Sequence, residues 1–225
     1  MNNIVNPSFR QILFENSEKI FYKTEKKGIL KVFYSGDPQI AIIRSKISTL
    51  LFKMISDCGI KTYYINEMGV REHETYALDV MPFVFSISSF ANFDLASKFP
   101  LKEGMKLKNY LFEVFLFLQK NKTLVTKEHL LSFDWLTSVD YEFVEYHSKR
   151  IMDLITGFFK ALGVTVLSLD LQFGKRYKKN GTEFDIFLSD ELSPKNIKLH
   201  IDDMFDLSSK DVFLELGKRL GILQK

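Results

Sequence analysis

Apolar residues recur along the chain with two different periods, one typical of helices and one typical of strands. From Ile47 to Cys58 they are spaced by three and four, and Gly59 follows where a helix C-terminal cap is expected. Residues 141–162 show the same spacing over a longer distance before Gly163. The pattern predicts a helix from Ile47 and a longest helix over 141–162. Shorter helices are predicted over residues 94–99, about 126–136, and from Ser208 or Ser209 to Leu220.

Strict alternation of apolar and polar side chains predicts strands. Residues 164–174 alternate, with Asp170 and Gln172 on the polar side, and residues 183–189 alternate likewise. We expect these two segments to pair through the basic turn at 175–181 and to present one polar face. Other β-rich segments lie at 19–24, 28–34, 61–65, 75–90 and 110–118. Strands and helices together predict an α+β fold.

Pro82 divides the β-rich stretch from residue 75 to residue 90. Proline has no backbone N–H to donate to a sheet, so this position indicates a sheet edge, a bulge or a hinge between two sheets. We take it as the boundary between an N-terminal antiparallel-sheet lobe with one helix, residues 1–82, and a larger α+β C-terminal lobe, residues 83–225.

The composition is that of a globular protein, because 46% of the residues are apolar and 26% are charged. No segment approaches the ~18 consecutive apolar residues of a membrane span, so we expect no membrane association. The net charge is only +3, which gives little electrostatic reason to bind nucleic acid. The first residues carry no basic region followed by an apolar stretch, so we expect a cytoplasmic protein without a secretory signal.

Cysteine and histidine offer little chemistry in this chain. Cys58 is the single cysteine, which excludes an internal disulfide and a multi-cysteine zinc site. It falls on the apolar stripe of its predicted helix, so we expect a buried packing thiol rather than a nucleophile. His147 lies on the apolar stripe of the longest helix, and we expect a hydrogen-bonded core residue there.

The polar face of the predicted strand pair carries the candidate chemistry. Asp170 and Gln172 lie on that face, and Asp190 and Glu191 follow at the end of the second strand. Carboxylates that converge at strand ends can hold hydrated magnesium beside phosphates, although a merely solvated sheet face gives the same pattern. No P-loop, dinucleotide-binding, nucleophile-elbow or zinc-protease motif occurs in the sequence.

Five short phrases occur in a characteristic order along the chain: LFENSEKIF at 13–21, CGIKT at 58–62, KEGMKL at 102–107, LQFG at 171–174 and SDELSP at 189–194. Together with the order of the elements, they resemble the SAICAR synthetase family. The similarity extends from about Ile12 to Ile222. It implies a kinase-like two-lobed fold with ATP held between an N-terminal antiparallel sheet and a larger α+β part. It also implies an ATP-dependent ligase of purine biosynthesis that joins aspartate to the carboxylate of an aminoimidazole ribonucleotide.

The resemblance also implies positions for the site. The matching residues are Lys19 for the nucleotide phosphates, Asp190 and Glu191 for magnesium, and Ser193 for the substrate. Lys198 stands where the family has an arginine, and we keep it as a substrate contact. Asp170 is a new carboxylate two residues before the family's metal-binding glutamate position, and we add it as a magnesium ligand. The implied cofactors are ATP and Mg²⁺, and the implied partners are a small-molecule carboxylate and an amine. No residue is assigned a catalytic role, and the oligomeric state stays open, a homo-oligomer included.

The chain departs from the family pattern at these positions. Asn16-Ser17-Glu18-Lys19 stands where the family has G-K-A-K, and only the last lysine remains. Ser88 replaces the arginine of the R-N-Y-x-A-G-S segment, and Gln172 replaces the metal-binding glutamate of K-L-E-F-G. The family's long loop after the second strand is shortened, and Arg44-Ser45 stands where the family has an asparagine pair.

Further departures from the family pattern also fall at site positions. Phe93-Asp94 replaces the family's Gly-Ser, and Lys195, Lys198 and His200 replace the second Asp, the Arg and the Trp of D-E-x-S-P-D-x-x-R-x-W. The helix and strand periodicities are intact, so the changes concentrate at the site and spare the core. Two classes of function are consistent with this distribution. One is a ligase retargeted to another acid and amine, and the other is a non-catalytic paralogue used for binding.

Overall fold

Two antiparallel sheets form the framework of the computed structural model, which describes residues 11–118, 121–201 and 208–223. The first sheet contains β1 (Ile12–Glu15), β2 (Lys19–Lys23), β3 (Ile29–Tyr34), β4 (Tyr64–Gly69) and β5 (Glu72–Tyr76), in the order β1-β2-β3-β5-β4. The second contains β6 (Asp79–Val80), β7 (Phe83–Phe90), β8 (Lys106–Leu118), β9 (Asn121–Val125), β10 (Val164–Tyr177), β11 (Phe184–Ser189) and β12 (Ile197–Ile201). Its main path is β11-β10-β7-β8-β9, and β6 and β12 also pair with β10.

The helices of the described residues pack against both sheets and against one another. They are α1 (Pro38–Asp57), α2 (Phe93–Lys98), α3 (Lys127–Ser132), α4 (Ser138–Lys160) and α5 (Ser209–Arg219). One continuous apolar core joins α1, α4 and α5 to β7 and β10. Sheets and helices in this arrangement confirm the predicted α+β fold. Within the described segments, none of the helices has the length and apolar character needed to cross a membrane.

The longest predicted helix is confirmed as α4. Thr137 caps its N-terminus by accepting a hydrogen bond from the backbone N–H of Asp140, and the helix buries Ile151, Ile155 and Phe159 in the core. His147 is half-buried, and its Nδ1 lies 2.9 Å from the carbonyl oxygen of Phe143. The expected hydrogen bond is therefore present, but the side chain lies at the edge of the core.

Helix α1 begins nine residues before the predicted position. It starts at Pro38, where the Asp37 side chain accepts hydrogen bonds from two backbone N–H groups of the first turn. The early part was missed because Arg44, Ser45 and Ser48 are polar yet buried, so they break the apolar spacing. The prediction of a buried Cys58 is wrong, since this residue lies just beyond the end of the helix and is exposed.

The strand pair with the polar face is confirmed. β10 and β11 are antiparallel, with Tyr177 opposite Phe184 next to the connecting turn. In that turn the Asn180 side chain accepts hydrogen bonds from the backbone N–H groups of Thr182 and Glu183. From Ser168 to Phe173, alternate residues of β10 are buried in the core and the polar set faces away from it, as the alternation predicts. Before that the phase is the opposite one, with Val164 and Val166 buried, because the register shifts between Val166 and Ser168.

Other element boundaries differ modestly from the prediction. The alternation pattern does not predict β1, β9 or β12, because strands of four or five residues contain too few alternations to stand out. The helix predicted over 126–136 is shorter, and α5 uses Ser208 as its N-cap, paired with Asp211 in a capping box.

Pro82 lies between β6 and β7, and both strands belong to the second sheet. The first sheet is complete at Tyr76, and the backbone N–H of Met81 already donates to the carbonyl of Phe173 in β10. The chain therefore enters the second sheet shortly before Pro82. The division into lobes 1–82 and 83–225 stays a prediction.

Candidate active site

A cleft of about 510 Å³ lies between the first sheet and the loop that follows β11. We call it the interlobe cleft. The first sheet and its turns contribute Leu13, Phe14, Asn16, Glu18, Lys19, Phe21 and Leu30 to its lining. The remaining lining residues are Val80, Gln172, Asp190, Glu191, Lys195 and Asn196. Of the six site residues expected from the sequence, Lys19, Asp190 and Glu191 therefore line this cleft.

Lys19 is positioned by the turn between β1 and β2. The Asn16 side chain accepts hydrogen bonds from the backbone N–H groups of Glu18 (2.9 Å) and Lys19 (2.8 Å), which shapes the turn. Lys19 is the first residue of β2 and is only 6% exposed. Its ammonium group forms an ion pair with the carboxylate of Asp190, 171 residues away. Lys19 of the first sheet is thus held by the Asp190 carboxylate from the opposite side of the cleft.

Asp190 directly follows β11 and adopts a left-handed backbone conformation with φ of 65°. Aspartate is one of the few non-glycine residues that tolerate this region. One carboxylate oxygen contacts Lys19, and the other accepts a hydrogen bond of 3.1 Å from the Asn196 side chain. The side chain is still 28% exposed, so a ligand in the cleft can reach it.

Glu191 is buried and fully engaged by neighbouring side chains. Arg44 of α1 binds it with two hydrogen bonds, from Nε at 2.8 Å and from Nη2 at 2.5 Å. The Ser193 hydroxyl donates to the same carboxylate. Burial lowers the pKa of Arg44, but the hydrogen bond and the charge of Glu191 outweigh it, and the net pKa is raised. Roles of Glu191 in metal binding and of Ser193 in substrate binding stay predictions, and the structure adds an internal role for both.

Glu18 joins the turn of the first sheet to the loop after β11. Its carboxylate forms an ion pair with Lys195 and lies 3.4 Å from Arg44 Nη2. Burial lowers the pKa of Lys195. Glu18 and Lys195 both line the interlobe cleft, so its two lysines each face a carboxylate of the cleft.

Asp170 lies beside the cleft on the polar face of β10. It is 41% exposed, and Lys122 Nζ lies 3.9 Å from its carboxylate. Asp170, Gln172 and Asp190 line a smaller cavity of about 160 Å³, so the two predicted metal ligands do approach a common space. Across residues 11–118, 121–201 and 208–223, no three acidic, histidine or cysteine side chains are grouped closely enough to form a metal site by themselves.

Lys198 lies at a different place on the same sheet. It is exposed, on β12, directly opposite Ser168 of β10, and Ser168 is in turn opposite Ser88 of β7. Residues directly opposite on neighbouring strands share a face, so these three side chains form one row on the face that bears Asp170. We call it the Lys198 row. The role of Lys198 in substrate binding stays a prediction.

Sequence reasoning missed the pairing that organises this site. Arg44 and Lys195 were noted only as departures from the family pattern, and Glu18 only as part of the altered G-K-A-K segment. The available signal was their number and sign, because the departures from the family pattern add two cations and one carboxylate. Arg44 and Glu191 are 147 residues apart in sequence, and Glu18 and Lys195 are 177 residues apart. No local pattern reveals contacts over such separations.

The first sheet and the larger α+β part, facing each other across a charged cleft, define a two-lobed α+β protein. The chain belongs to the SAICAR synthetase family, whose family model matches residues 12–215. Members of this family are ligases. The chain is 27% identical over 237 residues to the phosphoribosylaminoimidazole-succinocarboxamide synthase of Pelagibacter ubique, with 95% of this chain and 90% of that protein covered.

Solved structures of the family share the fold. The phosphoribosylaminoimidazole-succinocarboxamide synthase of Ehrlichia chaffeensis superposes with a TM-score of 0.85 at 22% identity, over 96% of this chain and 100% of that chain. A type-2 SAICAR synthetase in complex with ADP gives a TM-score of 0.82 at 18% identity, over 94% and 98% of the two chains. Family and fold, both expected from the sequence phrases, are therefore confirmed.

Proposed function

We propose that this chain is an ATP-dependent ligase that joins a carboxylate to an amine, and that its substrate differs from the usual aminoimidazole ribonucleotide. Membership in a family of ligases supports the reaction type. The reaction consumes one ATP, one carboxylate and one amine, and yields an amide, ADP and phosphate. Holding the reacting groups together in a cleft accounts for much of the rate that such a ligase can reach.

The Lys198 row is the observation that carries the altered substrate. The resemblance implies arginines at both positions 88 and 198, close to the ribonucleotide, whereas this chain has Ser88 and Lys198. An arginine binds a phosphate through two parallel charge-assisted hydrogen bonds, and neither serine nor lysine can replace that geometry. The row therefore favours a substrate with less negative charge than a ribonucleotide phosphate.

ATP lies in the interlobe cleft in this proposal. A solved relative of the same fold is a complex with ADP, which supports the choice of nucleotide. Lys19 contacts the phosphates after exchanging its ion pair with Asp190 for one with the nucleotide.

The donor set beside the cleft fits magnesium. Asp170, Gln172 and Asp190 offer carboxylate and amide oxygens to one cavity, and hard divalent cations prefer oxygen ligands. Bound magnesium supplies neutralisation of phosphate charge. We assign Asp190 and Asp170 to it, and we assign Glu191 to holding Arg44, because both oxygens of Glu191 already accept hydrogen bonds.

A product assay tests the proposed reaction. Purified protein is incubated with ATP, magnesium, aspartate and the carboxyaminoimidazole ribonucleotide, and then with panels of other acids and amines, while ADP and amide are measured. We expect little or no SAICAR from the first mixture. We expect ADP and an amide to form with a different acid and amine. Robust SAICAR formation, the reaction named for the curated relatives, would contradict the altered substrate and leave the ligase reaction intact.

The alternative function is a non-catalytic paralogue that binds a ligand or a partner. Its support is the internal pairing of both cleft lysines, which leaves neither cation free in the described residues. Calorimetry with ATP and magnesium distinguishes the two functions. Binding that is weakened in Asp190→Ala supports the ligase, and the absence of binding in both proteins supports the non-catalytic paralogue.

A further inference from the structure

A cavity of about 330 Å³ lies between the second sheet and the C-terminal end of α4. We call it the helix–sheet cavity. Four elements line it, namely the end of β7, the start of β8, the start of β10 and the last turns of α4. Its lining combines apolar side chains, hydroxyl groups and two lysines, which is the composition of a small-molecule site.

The helix–sheet cavity is separate from the interlobe cleft. Among the described residues, none that lines it also lines the cleft, the cavity of about 160 Å³ beside the cleft, or the cavity of about 120 Å³ that Thr75 and Ser189 line. Those two smaller cavities share Gln172 and Asp190 with the cleft and are parts of it. An occupant of the helix–sheet cavity therefore contacts a different set of residues from a ligand of the cleft.

Lys106 and Lys160 give the cavity a positively charged opening. Both residues are exposed, and they are the first residue of β8 and the last residue of α4. Within residues 11–118, 121–201 and 208–223, neither lysine has a carboxylate at ion-pair distance, in contrast to the paired lysines of the cleft. Two unpaired ammonium groups at one opening attract an anion.

Thr156 adds a buried hydroxyl to the same lining. Its Oγ1 has no hydrogen-bond partner in the described part of the chain. A buried hydroxyl without a partner is costly, so this group indicates an occupant with a hydrogen-bonding atom. Thr156 and Lys160 lie one turn apart on the same side of α4, roughly 6 Å along the helix axis. The hydroxyl and the ammonium group can therefore contact the two ends of one short ligand.

Apolar side chains form the walls between these polar groups. Val164 and Val166 are buried and Phe90 is half-buried. Tyr110 contributes its ring, while its hydroxyl donates a 2.6 Å hydrogen bond to Asp153, which does not line the cavity. Burial, that hydrogen bond and the charge of Asp153 raise the pKa of Tyr110 to about 12, so the hydroxyl stays bonded to that carboxylate. Two aromatic rings and two valines favour an aromatic body in the ligand.

We propose that the helix–sheet cavity binds a small aromatic carboxylate. The carboxylate lies beside Lys106 and Lys160, and a polar group at the other end of the ring bonds to the Thr156 hydroxyl. An inorganic anion would leave the apolar walls uncovered, and a hydrocarbon would leave the hydroxyl and both lysines without a partner. The inference concerns a second site and does not depend on the proposed ligase reaction.

Para-hydroxybenzoate is the probe, because it carries a carboxylate and a hydroxyl at opposite ends of one ring. Its dissociation constant, measured by ligand-observed NMR titration, is compared with those of benzoate, which lacks the hydroxyl, and para-hydroxybenzamide, which lacks the charge. We expect the wild type to prefer para-hydroxybenzoate by about fivefold over benzoate, the contribution of one neutral hydrogen bond. We expect a preference of about tenfold over the amide, because the contact with lysine is charge-assisted.

Variants of the lining assign each preference to its residue. In Thr156→Val the preference over benzoate falls to about one, and in the double variant Lys106→Met/Lys160→Met the preference over the amide falls to about one. Thr156→Val removes only a hydroxyl that has no partner, and the two lysines are exposed, so we expect these variants to fold.

Lys149→Met and Lys195→Met are the controls. Lys149 is a lysine of α4 that does not line the helix–sheet cavity, and Lys195 is a lysine of the interlobe cleft. Both variants should bind para-hydroxybenzoate as the wild type does. A loss of binding in Lys195→Met would place the ligand in the cleft and overturn the proposal. Failure of para-hydroxybenzoate to bind, or preferences that survive in the lining variants, would overturn it as well.

Discussion

Arg44 and Glu191 form a buried, two-pronged ion pair between the first helix and the loop after β11, with nitrogen–oxygen distances of 2.8 and 2.5 Å. Their side chains are 6% and 1% exposed. A buried charge that loses its partner is strongly destabilising, whereas an exposed pair contributes little. Loss of either partner of this pair is therefore expected to lower the free energy of unfolding much more than loss of an exposed pair.

Arg44→Met leaves the carboxylate of Glu191 buried beside Ser193 without its main partner. We expect the free energy of unfolding, measured by urea titration, to fall by about 3–5 kcal/mol. Lys46→Met is the control on the same helix, because its ion pair with Glu67 is more exposed and is expected to contribute below about 1 kcal/mol. Equal losses in the two variants would contradict a special role for the buried pair.

His73 makes the stability depend on pH. It is fully buried, its Nε2 lies 3.0 Å from the Ser45 hydroxyl and 2.8 Å from the Thr49 hydroxyl, and burial lowers its pKa from 6.5 to about 4. The unfolded chain binds the proton more readily, so this contribution is complete above pH 6.5 and is lost as the pH falls towards 4. We expect a loss of about 3 kcal/mol over that window.

Urea titrations at intervals between pH 7 and pH 4.5 measure this slope. His73→Gln is expected to flatten it, whereas His200→Gln, which changes an exposed histidine of β12, keeps it. An unchanged slope in His73→Gln would assign the pH dependence to the carboxylates.

Glu18→Gln is expected to tighten ATP binding. The Glu18 carboxylate lies in the interlobe cleft and pairs with Lys195 and Arg44, so it repels a polyphosphate and competes with it for cations. Removing its charge should lower the dissociation constant measured by calorimetry by about fivefold. Glu25→Gln changes an exposed carboxylate of the next turn and should leave the affinity unchanged. Weaker binding in Glu18→Gln would show that Glu18 positions the turn instead.

Lys19→Met removes the lysine that remains from the family's phosphate segment. We expect ATP affinity to fall about tenfold or more, because a charge-assisted contact to phosphate is lost. Lys23→Met, at the exposed end of the same strand, is the control and should bind as the wild type does. Calorimetry at two salt concentrations separates the local contact from general screening, which affects both variants alike.

Local sequence patterns determined much of the fold. The spacing over 141–162 predicts α4, and the alternation over 164–174 and 183–189 predicts the antiparallel β10–β11 pair. These predictions succeed because each element packs one apolar face against the core, and the residues of such a face recur at a regular spacing in the sequence. The start of α1 could not be predicted in this way, because Arg44, Ser45 and Ser48 are buried through polar contacts with distant residues.

The sequence alone also named Lys19 and Asp190 as site residues, through the family resemblance. Only the tertiary structure decided that they pair with each other and that Arg44 takes both oxygens of Glu191. It alone brought the hydroxyls of Thr75 and Ser189 from two sheets to one cavity. The physical reason is the separation in sequence. Periodicity shows which side of a helix or strand is buried, whereas these ion pairs and this cavity join side chains more than a hundred residues apart.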